Sequence, residues 1–330
     1  MTLRFQWLLI FAVLVFPNLN TANSLAANPK PEPTAEQKAK QAQDKKEKIG
    51  ADIAKMQKAL PDAAPVKPAQ PRKVMVYTRA SGFVHSSISL GAATVAALGE
   101  KTGAYKVTKI TDDPAVFDNL SEYDAIVLMS TTGDFLQVTK DADAEVIKSS
   151  KDKEPERKKA LIDFVHSGKG LVGVHAATDA YHGGNKWPEY NELIGGVFLK
   201  HPYSKITIKI DDPSSAINAQ FKGQEFEFTD EIYVFTPQSF SRDRLRVLLS
   251  IDVEKSMLKE KARDDQDYAV AWIQQHGNGR VFYTLLGHRE DTFQNPLSLQ
   301  YFLAGMQYAL GDLKADATPS AKITATPAGK

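Results

Sequence analysis

The sequence predicts an α/β protein with a mostly parallel sheet, built as one domain over residues 73–313. Short apolar runs alternate along the chain with segments of helical periodicity, as in parallel strands joined by crossover helices. The run Ala125–Ser130 is apolar on both faces, which is typical of a strand in the middle of a parallel sheet. At 330 residues the chain is also long enough to bury a sizeable core.

Strands and helices alternate in the first half of the domain. Ser86 and Ser87 are candidate N-caps of the first helix, because a serine hydroxyl can accept a hydrogen bond from a free amide there. Gly168 and Gly170 are expected to close the second helix. The charged segment 131–153 is expected to be a solvated loop. In order, the predicted elements are strand Val74–Thr78, helix Ile88–Lys101, strands Tyr105–Ile110 and Ala125–Ser130, helix Glu154–His166 and strand Leu171–His175.

Further apolar runs, separated by turn residues, are expected to extend the sheet in the second half. The last two runs flank the tetrad from His276 to Gly279, whose Asn-Gly pair predicts a tight hairpin. The final segment has helical periodicity and is expected to cover the sheet. In order, the predicted elements are strands Lys205–Ile210, Phe226–Phe235, Leu245–Ile251, Tyr268–Gln274 and Arg280–Leu286, and helix Pro296–Leu310.

The two ends of the chain differ in composition from the domain. A basic start and the apolar run Trp7–Phe16 predict a secretory signal peptide over residues 1–26, with an apolar core shorter than the roughly 20 residues that span a bilayer. Residues 27–72 are predicted to be a disordered or partly helical linker, and 314–330 a disordered tail. We therefore expect a bacterial protein exported to the periplasm or secreted, with no membrane span after cleavage of the signal peptide.

Charge and cysteine content exclude several classes of function. The 41 lysines and arginines nearly balance 40 aspartates and glutamates, so no net field draws the protein to nucleic acid. The sequence contains no cysteine, which excludes disulfides, a lipid-modified cysteine, a thiolate nucleophile and a cysteine-based zinc site. A small neutral ligand is the expected partner.

Candidate functional residues lie where predicted strands end, which is where open α/β sheets bind ligands. His85 and His288 each follow a strand, His175 ends one, and His201 opens the loop before another. The run from Gly173 to Ala177 has the layout of a nucleophile elbow, with His175 as the exposed group. An imidazole exchanges protons but is a poor acyl acceptor, so this position predicts acid/base chemistry or ligation.

An ordered set of motifs runs through residues 73–311. They are Gly82-Phe83-Val84-His85-Ser86, Gly170-Leu171-Val172-Gly173-Val174-His175-Ala176-Ala177, Trp187-Pro188-Glu189-Tyr190, Gly195-Gly196-Val197-Phe198 with His201-Pro202, Asp230-Glu231-Ile232-Tyr233, Ala271-Trp272, Gly279-Arg280-Val281-Phe282-Tyr283-Thr284 and Leu286-Gly287-His288. In this order they resemble the ThuA-like (trehalose-utilisation) family. The sequence departs from the family pattern at Ala269, where a proline often stands, and this affects no catalytic position.

The resemblance implies a flavodoxin-like, class I glutamine-amidotransferase-like three-layer sandwich with a mostly parallel sheet and a C-terminal hairpin. His175 takes the place of the amidotransferase cysteine, so we expect no glutaminase activity. ThuA-like proteins are associated with the use of trehalose and related disaccharides through oxidation to a 3-keto sugar. The implied partner is therefore a sugar or an oxidised glycoside.

A 3-keto-glycoside gives the candidate residues a chemical role. Its ketone acidifies the neighbouring C2 proton, so one base and one acid suffice for isomerisation, elimination or hydrolysis. Glu231 is the predicted base, and His175 or His288 the predicted acid. The residues predicted to bind the substrate are His85, His201, Arg79, Trp187 and Tyr233.

Two other interpretations fit the same residues. Three histidines and a carboxylate can form a catalytic site for a divalent metal such as zinc, which would make the protein a metal-dependent hydrolase. Its ligands would come from His85, His175, His201, Glu231 and His288, although none of the usual short ligand spacings is present. Alternatively, the protein binds carbohydrate in the periplasm without turnover, and the histidines only hydrogen-bond to hydroxyls.

Overall fold

The structure is a computed structural model that describes residues 34–138, 141–183, 186–258 and 263–323. Its contacts divide the chain into two units, residues 1–45 and 46–330. Helix α1, Ala35–Ala59, begins in the first unit after Thr34, whose Oγ1 accepts from the amide of Gln37 at 3.2 Å. The predicted signal peptide and residues 324–330 of the predicted tail lie outside the described residues.

A nine-stranded sheet, counted over the described residues, forms the centre of the second unit. In chain order the described strands are β1 Lys73–Tyr77, β2 Lys106–Thr111, β3 Ala125–Met129, β4 Gly170–Val174, β5 Phe198–Lys200, β6 Tyr203–Ile210, β7 Phe226–Glu231, β8 Val234–Phe235, β9 Arg246–Asp252, β10 Ala269–His276 and β11 Gly279–Thr284. Strands β2, β1, β3, β4 and β11 are parallel neighbours in that order, and β10, β9, β6 and β7 continue the sheet with antiparallel pairing. Strands β5 and β8 form a separate pair.

Helices cover both faces of this sheet. Gly170 of β4 lies against the backbone of Ala309, whereas Gly173, which points to the opposite face, lies against the side chain of Ile194. These contacts place helix α5, Pro296–Ala309, on one face and helix α4, Pro188–Ile194, on the other. Helices α2, Ile88–Thr102, and α3, Ala144–His166, also belong to the second unit.

The predicted fold class is confirmed. Only β6 and β10 run against the other strands of the nine-stranded sheet, so the sheet is mostly parallel in direction. Every residue of β3 and β4 is buried, as the apolar run Ala125–Ser130 predicts for a central strand. The predicted hairpin joins β10 to β11 through Gly277 and Asn278, and lies inside the sheet, not at its edge.

The structure differs from the sequence prediction at two elements. Helix α3 begins at Ala144, ten residues before the predicted start, and includes Pro155. Proline favours the first turn of a helix, which agrees with a start at Glu154, but the charged residues before it are good helix formers and extend the helix toward its N-terminus. The predicted strand Phe226–Phe235 is divided at Ile232 and Tyr233 into β7 and β8, which belong to different sheets.

Parts of the predicted linker and tail contact the domain. The backbone N–H of Val66 donates to Oε1 of Gln307 at 3.1 Å, and Nε2 of Gln307 donates to the carbonyl of Val66 at 2.6 Å. Arg72 binds Asp312 through two hydrogen bonds. The amide of Ser320 donates to the carbonyl of Leu245, just before β9, at 3.0 Å. No helix of the described residues is long and apolar enough to span a bilayer.

Asn295 caps helix α5. Its Oδ1 accepts from the amides of Leu297 at 2.9 Å and Ser298 at 3.2 Å. Because alanine leaves both amides without this acceptor, Asn295→Ala is expected to lower the free energy of unfolding by about 1 kcal/mol in urea titrations. Asn295→Asp keeps the acceptor and serves as the control. An equal loss in both variants would show that the cap does not contribute.

Candidate metal centre

Three histidines meet at the carboxyl ends of parallel strands. His85 lies in the loop after β1, His175 directly follows β4, and His288 lies in the loop after β11. Oγ of Ser87 donates to the carbonyl of Gly287 at 2.8 Å, which ties the loop of His85 to the loop of His288. Ser87 occupies the N-cap position of the helix Ile88–Thr102, as the sequence predicts, but its hydroxyl makes no capping hydrogen bond because it is used in the bond between the loops.

His175 occupies a sharp turn between β4 and the 3₁₀ helix His175–Asp179. Its φ is +46°, in the left-handed region that non-glycine residues rarely adopt. The turn is held by Tyr283, whose hydroxyl donates to the carbonyl of His175 at 2.7 Å. The ring is fixed by Nδ1, which lies 3.1 Å from the carbonyl of Leu285. Since a carbonyl only accepts, Nδ1 carries a proton, and Nε2 points into the site.

Four potential ligand atoms converge on one point. Nε2 of His175 lies 3.2 Å from Nε2 of His85 and 3.2 Å from Oε2 of Glu231. That oxygen lies 3.8 Å from Nε2 of His85 and 3.9 Å from Nε2 of His288. One atom from each of these four residues can be chosen so that all lie within 4.8 Å of one another. Glu231 reaches the cluster because it ends β7, where the chain leaves the sheet.

Further carboxylate and imidazole groups orient the cluster. Nδ1 of His288 lies 2.5 Å from Oδ1 of Asp230, which is buried and also accepts from the amide of Glu231 at 2.8 Å. Nδ1 of His201 lies 2.7 Å from the other carboxylate oxygen of Glu231, Oε1. Hydrogen bonds of this kind fix the ring orientation and tautomer of histidines that bind metals. Asp230 and His201 therefore turn His288 and Glu231 toward the common point.

The protein environment of His175 and Glu231 sets the charges of these two side chains. Burial lowers the pKa of His175 to about 4, although its hydrogen bond with Glu231 acts in the opposite direction. Burial by itself raises the pKa of the Glu231 carboxyl, but hydrogen bonds with His175 and His85 outweigh this and hold it well below its usual range. At neutral pH the lone pair on Nε2 of His175 thus faces an anionic oxygen, an arrangement that a cation between them would stabilise.

The spacing of the donor atoms fits a bound divalent ion. Bonds of about 2.0–2.1 Å at tetrahedral angles keep ligand atoms roughly 3.3 Å apart. Two of the distances, 3.2 Å each, lie close to this value, two others, 3.8 and 3.9 Å, are about half an ångström longer, and all four ligand atoms lie within 4.8 Å of one another. Nδ1 of His85 is buried and has no hydrogen-bond partner among the described residues, so the proton position on this ring depends on what binds Nε2. His85, His175, Glu231 and His288 can therefore hold a metal ion.

Comparison with known proteins identifies the family. The family model described as ThuA, trehalose utilisation, matches residues 73–309. The chain belongs to the ThuA family. A ThuA-like protein from Bacteroides uniformis has a similar structure, with a TM-score of 0.53 and 19% identity, over 79% of this chain and 98% of that one. One from Parabacteroides merdae has a TM-score of 0.49 and 17% identity, over 75% and 93%. No curated protein matches the chain.

Of the five predicted substrate-binding residues, His85 belongs to the four-residue cluster, and the other four divide into two groups. Tyr233 packs on His175, with ring centroids 4.5 Å apart, and His201 contacts Glu231, so both adjoin the centre. Trp187 is instead buried with Tyr181 and other aromatic rings, where it has no open face for a sugar. Arg79 is also buried, and its Nη1 donates to the carbonyl of Asp112 at 2.7 Å. The sequence suggested Trp187 because an aromatic face can stack on a sugar ring, and Arg79 because an arginine can reach its hydroxyls, but both side chains turn into the protein.

Sequence reasoning missed Asp230 as a functional candidate, and it considered Asp179 only as a residue that orients the ring of His175 or caps the following helix. Asp230 directly precedes Glu231, and this pairing of acids was the available signal. Asp179 ends the 3₁₀ helix that His175 begins, and its carboxylate lies 2.8 Å from Nδ1 of His182. Burial raises the pKa of Asp179, and the charges of His182 and His85 oppose that shift. Asp179 therefore belongs to the same electrostatic environment as the cluster.

Proposed function

We propose that the protein is a metal-dependent enzyme that acts on an oxidised sugar or glycoside. The observation that supports this most directly is the convergence of three imidazole nitrogens and one carboxylate oxygen on a single point. Nε2 of His85, His175 and His288 and Oε2 of Glu231 would hold the ion. Membership of the ThuA family supports a carbohydrate as substrate. Export to the periplasm, inferred from the sequence, remains part of this proposal.

The donor set is compatible with zinc and with similar divalent ions that accept imidazole and carboxylate ligands. When bound, such an ion supplies a Lewis acid that polarises the keto oxygen of the substrate and makes the neighbouring C–H bond more acidic. Glu231 then serves as a ligand. The role of base, which the sequence analysis assigned to Glu231, must therefore belong to another residue. Tyr233, which is buried against the ring of His175, excludes water from one side of the centre.

Asp179 is our candidate for the base. Its carboxylate is mostly buried, and it is close enough to His182, His85, His201 and Glu231 to interact with their charges. Its Oδ1 lies 2.8 Å from Nδ1 of His182 but has no hydrogen-bond partner among the described residues, because that nitrogen bonds to the backbone carbonyl of Asp179 at 2.7 Å. Asp179 would take the proton from C2, and the electrons of that C–H bond would move toward the ketone. Their return would form a C1–C2 double bond and break the bond from C1 to its substituent, which would leave with the proton that Asp179 had taken up. Reprotonation without departure would give isomerisation instead.

Metal analysis of the full-length protein tests this proposal. We expect about one divalent ion per chain, loss of turnover of 3-keto-trehalose on removal of the ion by a chelator, and recovery on addition of zinc or manganese. Products would be followed by NMR. Turnover that persists in metal-free protein would contradict the proposal and support acid/base catalysis by Glu231 itself. Sugar binding without product under any metal condition would favour a binding protein.

A further inference from the structure

The second half of helix α1 packs on the domain, although it precedes the region that the family model matches. Residues 46–59 belong to the second unit, whereas the family match begins at residue 73. Met56 is 1% exposed, and Leu60, which follows the helix, is also buried in the core. The carbonyl of Leu60 accepts a hydrogen bond from Nζ of Lys101 in α2 at 3.0 Å. This part of α1 is therefore a packed element of the domain.

Polar contacts join this part of α1 to the 3₁₀ helix that begins two residues after His288. Nε2 of Gln294, the last residue of the 3₁₀ helix, donates to Oδ1 of Asp52 at 2.9 Å, and Asp52 is buried. Nζ of Lys48 donates to Oε1 of Glu290, the first residue, at 3.1 Å, and lies 3.3 Å from Oδ2 of Asp52. Helix α1 thus contacts the 3₁₀ helix at both of its ends.

Glu290 also interacts with the loop that carries His85. Burial by itself raises the pKa of the Glu290 carboxyl, but hydrogen bonds with its own backbone, with Ser86 and with Lys48 outweigh this effect and lower it. Ser86 directly follows His85 in the sequence, and Glu290 comes two residues after His288. One carboxylate therefore connects α1 with the loops of two proposed ligands.

The 3₁₀ helix also packs against the backbone next to His288. Its residue Phe293 is buried and stacks on Phe302 of α5, with ring centroids 5.4 Å apart. A Cβ added to Gly287, the residue before His288, would lie 3.4 Å from the ring of Phe293. Because closely packed groups transmit displacements to one another, a shift of the 3₁₀ helix would also move His288.

We propose that Asp52 and Lys48 are positioning residues, which hold the segment after β11 in the conformation that directs His288 toward the ion. This inference rests on the proposed function and gives a role in it to a helix outside the region that the family model matches. Asp52 contributes more, because its carboxylate is buried, whereas the side chain of Lys48 is 62% exposed and exposed ion pairs are weak. Loss of these contacts leaves the ligands less preorganised, which weakens binding of the ion.

The Zn²⁺ affinity of full-length Asp52 variants, measured by competition with a chromophoric chelator, tests the inference. Asp52→Ala removes the acceptor for Gln294 and is expected to weaken Zn²⁺ binding roughly 3- to 10-fold, less than most groups bonded directly to a ligand. Asp52→Asn keeps an oxygen acceptor and should lose less affinity. Lys58→Ala, at an exposed position in the last turn of the same helix, is the control. The visible spectrum of bound Co²⁺, which reports ligand geometry, should differ from the wild type in Asp52→Ala and not in Lys58→Ala.

Urea unfolding of the metal-free proteins separates positioning from a general loss of stability. Ile273→Val, which removes a buried methyl group in β10, supplies a destabilised control in which the contacts of α1 are intact. A Zn²⁺ affinity of Asp52→Ala equal to that of Lys58→Ala, or a loss as large in Ile273→Val, would overturn the inference and leave the metal centre unaffected. Wild-type protein that binds no Zn²⁺ would instead overturn the proposed function, and this inference with it.

Discussion

Glu231→Gln is expected to lower the affinity of the protein for its divalent ion by at least about 100-fold, beyond the 10–100-fold typical of residues that only orient ligands. The substitution removes the only negative charge among the four proposed ligands. It also replaces an oxygen that lies 3.2 Å from Nε2 of His175 by part of a neutral amide. Metal content after dialysis against a weak chelator, measured by mass spectrometry, gives the result directly.

His166→Gln is the matched control for this experiment. His166 ends α3, stacks on His276 with ring centroids 4.7 Å apart, and is not one of the four clustered residues. It is expected to retain the ion and full turnover. If Glu231→Gln also retained its ion but lost turnover, Glu231 would be the base that the sequence predicts, and our assignment of it as a ligand would be wrong.

The central part of the fold was accessible to sequence reasoning because its signals are local. Ala125–Ser130 is apolar at nearly every position, and the hairpin at Gly277 and Asn278 is encoded by adjacent residues. The division of Phe226–Phe235 into β7 and β8 has no such signal, because an apolar and aromatic run continues through the break. Its cause is tertiary: β7 pairs with β6, whereas β8 pairs with β5.

Some residues of the candidate site could also be predicted from local sequence signals. His85, His175 and His288 follow buried strands, so topology alone predicts that they meet. Whether Glu231 acts as a base or a ligand depends on its distance from side chains more than 50 residues away in sequence, which no local pattern encodes. Burial of Trp187 likewise results from packing against Tyr181 and Tyr190.

Gly279→Ala is expected to reduce the free energy of unfolding by about 3 kcal/mol, at the upper end of the usual cost of overpacking. A Cβ at this position would lie 2.1 Å from the carbonyl oxygen of Val165 and 2.5 Å from that of Lys169. Both contacts are with backbone, which cannot move aside as a flexible side chain can. Urea unfolding of the full-length variant, followed by circular dichroism, measures the loss.

Gly50→Ala provides the comparison, because Gly50 lies in helix α1 with nothing within 4 Å of an added Cβ. Alanine favours helix over glycine by up to about 1 kcal/mol, so this variant should be neutral or more stable. A loss below about 1 kcal/mol in Gly279→Ala would mean that the hairpin shifts away from the end of α3. Since β11 pairs with β4, which ends directly before His175, and leads to Leu285 and His288, such a shift would also disturb the proposed ligands.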